Sequence, residues 1–479
     1  MTVRPGVSSR YPVLVAGLGV ALLVALRVYG ASASSLWLDE AIQLDMASKA
    51  FPEMWRSLVL DRVHPPLDTL LTSLWRRVSE SDAWLRIPPV LWSVATGLVL
   101  WVRSGGGAKP VRSSVSLFAF AAFPLAVQLG SEIRPYALGL LSVALVELCR
   151  WNWRRTDRTA WWWGAVLASL LAAWSLYWGL FAALLSWGVE AVRSARSRDA
   201  RRLARSVAGP ALVLAGYLPW LIAVARAPAR AIEMASQRPT TELVLSFLAG
   251  LVTDRQEDLS HPVVAGFLWG LFLLGVLLGE EDDRPGIAFL AAAMSLGVLG
   301  ALLAAGHWWS LRYLCVALVP LALGAGLGAE TLISRAGRWR VPAWAALLVL
   351  VVVPQRDAIQ DVARNARPDW REVASFLDLD RRSGRGGTVL AGDPWSFIVL
   401  RFQTRRLVPP FEPALVPDSP DGLATELGRY GSGWLVASSH YQPSEEAGRL
   451  LAGAPARVAF PRADEATLRR FEGGRLLPP

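Results

Sequence analysis

Cysteine is almost missing from this chain: among 479 residues only Cys149 and Cys315 carry a thiol, both in or beside apolar runs, with no CxxC pair. Nothing here supports a disulfide framework, a thiol active site or a structural zinc centre. Charge is scarce as well, at 18% of residues, where soluble domains carry about 25%. Lysine is nearly absent, Lys49 and Lys109 being the only two, so the basic excess of 49 Lys and Arg over 39 Asp and Glu is almost wholly arginine. Those arginines fall between apolar segments rather than along one soluble face. That is the pattern of membrane-protein loops, and no nucleic-acid partner is expected. What the chain has in quantity is apolar residues, 53% of the total. They make it a polytopic α-helical membrane protein.

Windows of about 20 residues place membrane helices near 12–30, 88–102, 114–130, 136–149, 160–175, 178–192, 207–225, 262–279, 287–305, 311–330 and 341–354. About eleven crossings are therefore expected. The first run lacks a small-residue cleavage site and exceeds a signal-peptide core, which predicts a retained helix. Loops at 1–11, 103–112, 150–158, 193–205, 280–286 and 335–340 hold 19 Lys and Arg in 56 positions, and the alternate loops 12 in 110. The positive-inside rule puts the first set in the cytoplasm. The expected location is the inner (plasma) membrane, with the loop 31–87 and the turns near 131–136 and 306–312 facing outward.

Past residue 354 the texture changes. Apolar runs shorten to strand and amphipathic-helix length, with helices predicted over 369–379, 395–402 and 423–430 and buried strands over 388–391 and 434–437. The chain divides on this reading into a transmembrane domain, 1–354, with an outer first loop at 31–87, and a small extracytoplasmic α/β domain, 355–479.

The chemistry-bearing residues gather on the outer side. Asp39 and Glu40 follow the first apolar run directly, and acids at a membrane edge are costly unless they line a wet cavity, so they read as functional. Helix capping is the alternative for such a pair; Asp39 is the candidate base and Glu40 its structural partner. His64 precedes Pro65-Pro66, whose rings fix the backbone. Glu132, Arg134 and Tyr136 lie in one boundary turn, and Arg312 and Tyr313 in another. An arginine there either snorkels or grips a phosphate in its planar fork, and Arg27 near the end of the first helix carries the same two readings. No DxD stands outside Asp378-Leu379-Asp380, so no obligatory metal is expected, although a divalent cation is compatible with the site.

Taken together, Trp37-Leu38-Asp39-Glu40, the HPPL tetrapeptide at 64–67, Glu132-x-Arg134-Pro135-Tyr136, Arg312-Tyr313-Leu314 and Pro368-Asp369-Trp370-Arg371-Glu372 resemble the polytopic glycosyltransferases of the protein-mannosyltransferase and aminoarabinose-transferase type, the GT-C fold. The resemblance implies a sugar donor on polyprenyl phosphate, a protein, lipid or glycan acceptor at the outer face, and Asp39 as base. It makes Arg134 and Arg312, with Tyr136, candidates for the donor phosphate, and Glu132, Tyr177 and Tyr313 candidates for the acceptor pocket. The chain departs at 175–177, where such proteins often carry a His-Tyr pair and only Tyr177 is present. A transporter or flippase for a lipid-linked or anionic substrate is the alternative class, because intramembrane charges and broken helices mark those proteins too.

Overall fold

A computed structural model describes residues 10–33, 35–227, 262–279, 284–305, 311–365, 369–385, 387–405, 407, 411–416, 422–430, 432–437, 458–460, 466–472 and 475–477. The chain forms two compact units, Met1–Ala31 with Ala50–Ala363, and Ser32–Lys49 with Arg364–Pro479. The described helices are α1 (Arg10–Ala33), α2 (Leu38–Ser48), α3 (Phe51–Asp61), α4 (Leu67–Trp75), α5 (Asp82–Leu85), α6 (Ile87–Arg103), α7 (Pro110–Ala122), α8 (Pro124–Leu129), α9 (Tyr136–Thr156) and α10 (Thr159–Ser175). They continue as α11 (Tyr177–Arg196), α12 (Ala200–Arg226), α13 (Pro262–Leu278), α14 (Arg284–Ala305), α15 (Leu318–Ser334), α16 (Arg340–Val352), α17 (Arg356–Asn365), α18 (Trp370–Asp380), α19 (Pro394–Thr404) and α20 (Gly422–Arg429).

The first unit is a helical membrane domain. Each of the eleven apolar windows falls on a helical stretch, and among the described residues five helical segments, Pro12–Ala33, Asp82–Arg103, Ala200–Arg226, Arg312–Ser334 and Gly337–Asp361, are long and apolar enough to cross a membrane by length and composition. α15 is the innermost, buried almost throughout and packed between α7 and α13. Small residues let it sit there. A Cβ on Gly328 would lie 1.8 Å from the Leu271 carbonyl oxygen, and one on Gly326 would lie 2.4 Å from the Arg112 carbonyl oxygen. Membrane helices pack closely through such positions, since lipid supplies no hydrophobic drive between them.

The window 114–130 is not one helix: it breaks at Phe123, and α8 restarts at Pro124. Proline has no N–H to give the carbonyl four residues back, so Phe120 O loses its helical donor and Ala121 O lies in the same frayed turn. Arg27 fills the gap from α1. Its Nη1 donates to Ala121 O at 2.9 Å, Nη2 to Phe120 O at 3.1 Å and Nε to Ser93 Oγ at 2.7 Å, all fully buried. The guanidinium caps a broken helix, a role different from both snorkelling and a phosphate grip. Replacing it with Leu should cost about 2–5 kcal/mol through orphaned buried acceptors, read as a lower apparent melting temperature in detergent. An unchanged melting temperature would show that the carbonyls find other donors.

The second unit is an α/β sandwich. Its strands are β1 (Thr388–Ala391), β2 (Ala414–Leu415), β3 (Ser432–Ala437), β4 (Val458–Phe460), β5 (Ala466–Glu472) and β6 (Arg475–Leu476). They pair in the order β2-β1-β3-β5-β4 with β6 on β5, β1 lying parallel to both neighbours and β5 antiparallel to its partners. Side chains alternate across the sheet. Val389, Ala391, Trp434 and Val436 pack with Trp370, Val373 and Val399 of α18 and α19, whereas Leu390, Leu435 and Phe471 pack with Leu423 and Leu427 of α20. Burial on both faces explains why β1 and β3 read as continuous apolar runs. α2 belongs here as well, with Ala41 in the first of these clusters and Leu36 O accepting from Gln403 Nε2 at 3.3 Å.

The Asp378-Leu379-Asp380 triplet is consumed within this unit. Asp378 pairs with Arg381 at 3.0 Å and Arg382 at 2.8 Å, and Asp380 Oδ2 accepts from Trp434 Nε1 at 2.8 Å and Arg470 Nη1 at 3.2 Å.

Candidate active site

In the helical unit the site forms where two proline-stiffened turns meet. α3 ends on Arg62 in the left-handed region at φ 58°, and Pro65 and Pro66 then open α4. This holds His64 in a short buried connection. The second turn lies between α8 and α9, where Arg134 N donates to Glu132 O at 2.8 Å and Pro135 starts the new helix. Arg86, buried at the head of α6, donates from Nη1 to Ser131 O at 2.9 Å and braces this turn.

The turns join through side chains. Arg134 Nη2 lies 2.8 Å from His64 Nε2, and the His64 ring meets Tyr136 edge-on with centroids 5.5 Å apart. Because a guanidinium only donates, Nε2 must be the acceptor and the imidazole proton sits on Nδ1. Burial, and after it the charges of Arg134 and Arg312, hold the His64 imidazole well below its ordinary 6.5. His64 is therefore neutral at pH 7 while the surrounding charge is positive. Arg312, half-buried in the short helical turn that feeds α15, is thus near enough for its charge to bear on His64.

The unfolded chain takes up a proton on His64 near pH 6.5 and the folded chain does not, so folding stability falls as pH drops below about 6.5. His64→Gln keeps an acceptor for Arg134 and removes the titration. Its melting temperature should lose the part of the acid slope below pH 6.5 that His64 contributes in the parent; identical slopes would mean the imidazole charges freely.

Arg134 also lines a cavity of about 340 Å³ whose walls are mostly apolar, including Leu71, Leu74, Trp75, Val78, Leu91 and Trp92 with Ile133. Asp68 is the other charged residue in the wall. Leu74 and Val78 are 58% and 72% exposed, so the cavity opens along an apolar surface. The wall residue Trp75 is held in place by Trp84, the rings stacked with centroids 4.4 Å apart and each indole N–H donating to the other's carbonyl at 2.8 and 3.1 Å.

Glu132 is fully buried in the Arg134 turn. The Tyr177 hydroxyl accepts from Trp220 Nε1 at 3.2 Å, and Trp220 meets Trp55 edge-on, so Tyr177 belongs to an aromatic junction of α3, α11 and α12. Tyr313 rests against Trp178 with centroids 6.5 Å apart. Asp39 and Glu40 fold with the second unit, at the N-terminus of α2. Glu40 is fully buried, its Oε2 3.4 Å from the Trp37 N–H, and caps the helix, whereas Asp39, one residue earlier, is half-exposed. Among the described residues no group of three His, Cys, Asp or Glu side chains has the arrangement of a metal site. Sequence reasoning misses Arg86, Asp68, Trp55 and Trp220; for Arg86 a signal exists, an arginine directly before the Ile87-Pro88-Pro89 helix start.

No family model matches the chain, and no curated protein matches it in sequence. Solved structures do match in fold. The chain superimposes on ArnT from Cupriavidus metallidurans bound to undecaprenyl phosphate with a TM-score of 0.58 at 13% identity, over 96% of this chain and 97% of that one. The apo state of the same protein gives 0.60 at 12% identity, over 98% and 99%. The Archaeoglobus fulgidus oligosaccharyltransferase in complex with Zn and sulfate gives 0.51 at 12% identity, over 88% of this chain and 68% of that one. The chain is a multi-pass membrane protein with the GT-C fold, the fold of these glycosyltransferases.

Proposed function

We propose that this protein is an integral membrane glycosyltransferase that moves a sugar from a polyprenyl-phosphate donor to an acceptor at the extracytoplasmic face of the inner membrane. The observation that carries the reading is the apolar, surface-opening cavity with Arg134 in its wall beside neutral His64. An isoprenoid chain fits such walls, and its phosphate fits a planar guanidinium. With His64 neutral, the Arg134 guanidinium supplies the positive charge, and His64 Nε2 accepts a hydrogen bond that orients it. The ArnT structure, of the same fold, holds undecaprenyl phosphate.

In the reaction the acceptor hydroxyl attacks the anomeric carbon and the bond from that carbon to the phosphate oxygen breaks. The sugar inverts, the acceptor proton passes to Asp39, and the donor leaves as a phosphate monoester. Arg134 and Arg312 meet the charge that grows on that monoester, which is how preorganised cations lower such a barrier. With two guanidinium groups in that role, no divalent cation is obligatory.

Undecaprenyl phosphate should raise the melting temperature of the purified protein, and the rise should persist in EDTA. Leu74→Arg, a charge in the cavity wall, should abolish it. An equal rise with inorganic phosphate alone would contradict a lipid-chain site.

A further inference from the structure

A second cavity, of about 520 Å³, opens in the helical unit at the other end of its helices. α7 and α8 form one crossing that begins at Pro110, beside this cavity, and ends at Gly130, beside the Arg134 turn. At 1.5 Å per residue that path spans roughly 30 Å, the thickness of a hydrocarbon core. The cavity therefore lies on the side that carries the arginine-rich loops.

Its lining has two layers. Among the described residues of the lining, Lys109, Arg335 and Arg340 supply three positive charges against one acid, Glu330, which sits 3.8 Å from Lys109. Leu278, Leu327 and Trp344 line the apolar part. The apolar wall is fixed in place, Trp344 Nε1 donating to Ser114 Oγ at 2.9 Å and Arg340 Nε to Ile333 O at 3.4 Å. At the rim Val341 is 71% exposed, and Leu332 and Trp339, next in sequence to lining residues, are 46% and 62% exposed, with Arg338 over the Trp339 ring at 5.5 Å. Exposed tryptophan and aliphatic side chains beside arginine are the pattern of a lipid–water boundary.

The geometry points to a binding site for the headgroup of an anionic phospholipid in the cytoplasmic leaflet. The net charge of the lining fits a phosphate, the volume fits a glycerophosphate headgroup, and the exposed apolar rim continues toward where acyl chains lie. Basic pockets between membrane helices on this side hold anionic lipid by the same forces. A soluble anion would leave that rim without an occupant. The site is separate from the Arg134 cavity, and its occupant takes no part in sugar transfer.

Native mass spectrometry of the full-length protein, titrated with phosphatidylglycerol and with phosphatidylcholine, tests this. The protein should retain phosphatidylglycerol at least tenfold more strongly. Near-surface charges of this kind change affinity about fivefold each. Lys109→Gln with Arg335→Gln should therefore weaken phosphatidylglycerol by roughly 25-fold, and Glu330→Gln, which folds without removing any cation, should strengthen it. Equal retention of the two lipids, an unchanged affinity in the charge-removing variant, or a loss on Glu330→Gln would overturn the assignment. So would full displacement of the lipid by millimolar inorganic phosphate, which would mark a soluble-anion site instead.

Discussion

Asp39→Asn is expected to lower sugar transfer by about 10²- to 10⁴-fold, the usual loss on removing a positioned general base. The substitution keeps the side-chain shape and removes the charge proposed to take the acceptor proton. Donor binding should survive, because the apolar cavity, Arg134 and His64 are built from other elements. Glu40→Gln separates the two acids. Glu40 is buried and caps α2, so its loss should cost about 1 kcal/mol of stability and far less transfer than the loss of Asp39. Transfer and donor binding measured on the same purified variant distinguish the outcomes: joint loss of both with expression would make Asp39 a structural residue.

Arg134→Ala should weaken the donor by roughly 10- to 100-fold, the value of a charge-assisted hydrogen bond to phosphate. It also strips His64 of its 2.8 Å donor. Arg134→Lys should recover only part of that affinity, since an ammonium keeps the charge but cannot serve His64 and a phosphate with one planar fork. Equal donor affinity in parent and both variants would leave Arg134 as a boundary anchor. The comparison of Lys with Ala isolates geometry from charge, which neither variant does alone.

Much of the membrane architecture is legible in the sequence because twenty-residue apolar windows have few other physical meanings. The two buried strands β1 and β3 are legible for the same reason, being apolar on both faces. What is not legible has a common cause: it depends on partners distant in sequence. His64 and Arg134 are 70 positions apart, and only the folded chain brings them to 2.8 Å. Arg27 reads equally well as a phosphate ligand or an anchor until the carbonyls freed by Pro124 are seen beside it. The short helices α2, α3 and α4 hide inside a stretch that reads as a loop, since 9 to 11 residues of mixed polarity give no membrane signal. Strands β2, β4 and β6, of two or three residues, exist only by pairing.

One buried charge cluster shows both sides of this. Glu147 and Arg150 stand one turn apart on α9, where a 2.6 Å pair is readable from spacing. Their third member, Glu190 on α11, lies 3.4 Å from Arg193 at the same readable spacing, but nothing local announces its bond to Arg150. Desolvated charges of this kind persist only when fully paired, so the network fixes how α9 and α11 meet.

The polyprenyl-phosphate lipids of cells with and without this protein give the most direct test of the glycosyltransferase reading. Mass spectrometry of the extracted lipids should show a sugar-loaded polyprenyl phosphate accumulating when the protein is absent. Parent protein should return that lipid to its normal level, and Asp39→Asn should not. A pool of sugar-loaded polyprenyl phosphates that stays the same with and without the protein would contradict the reading.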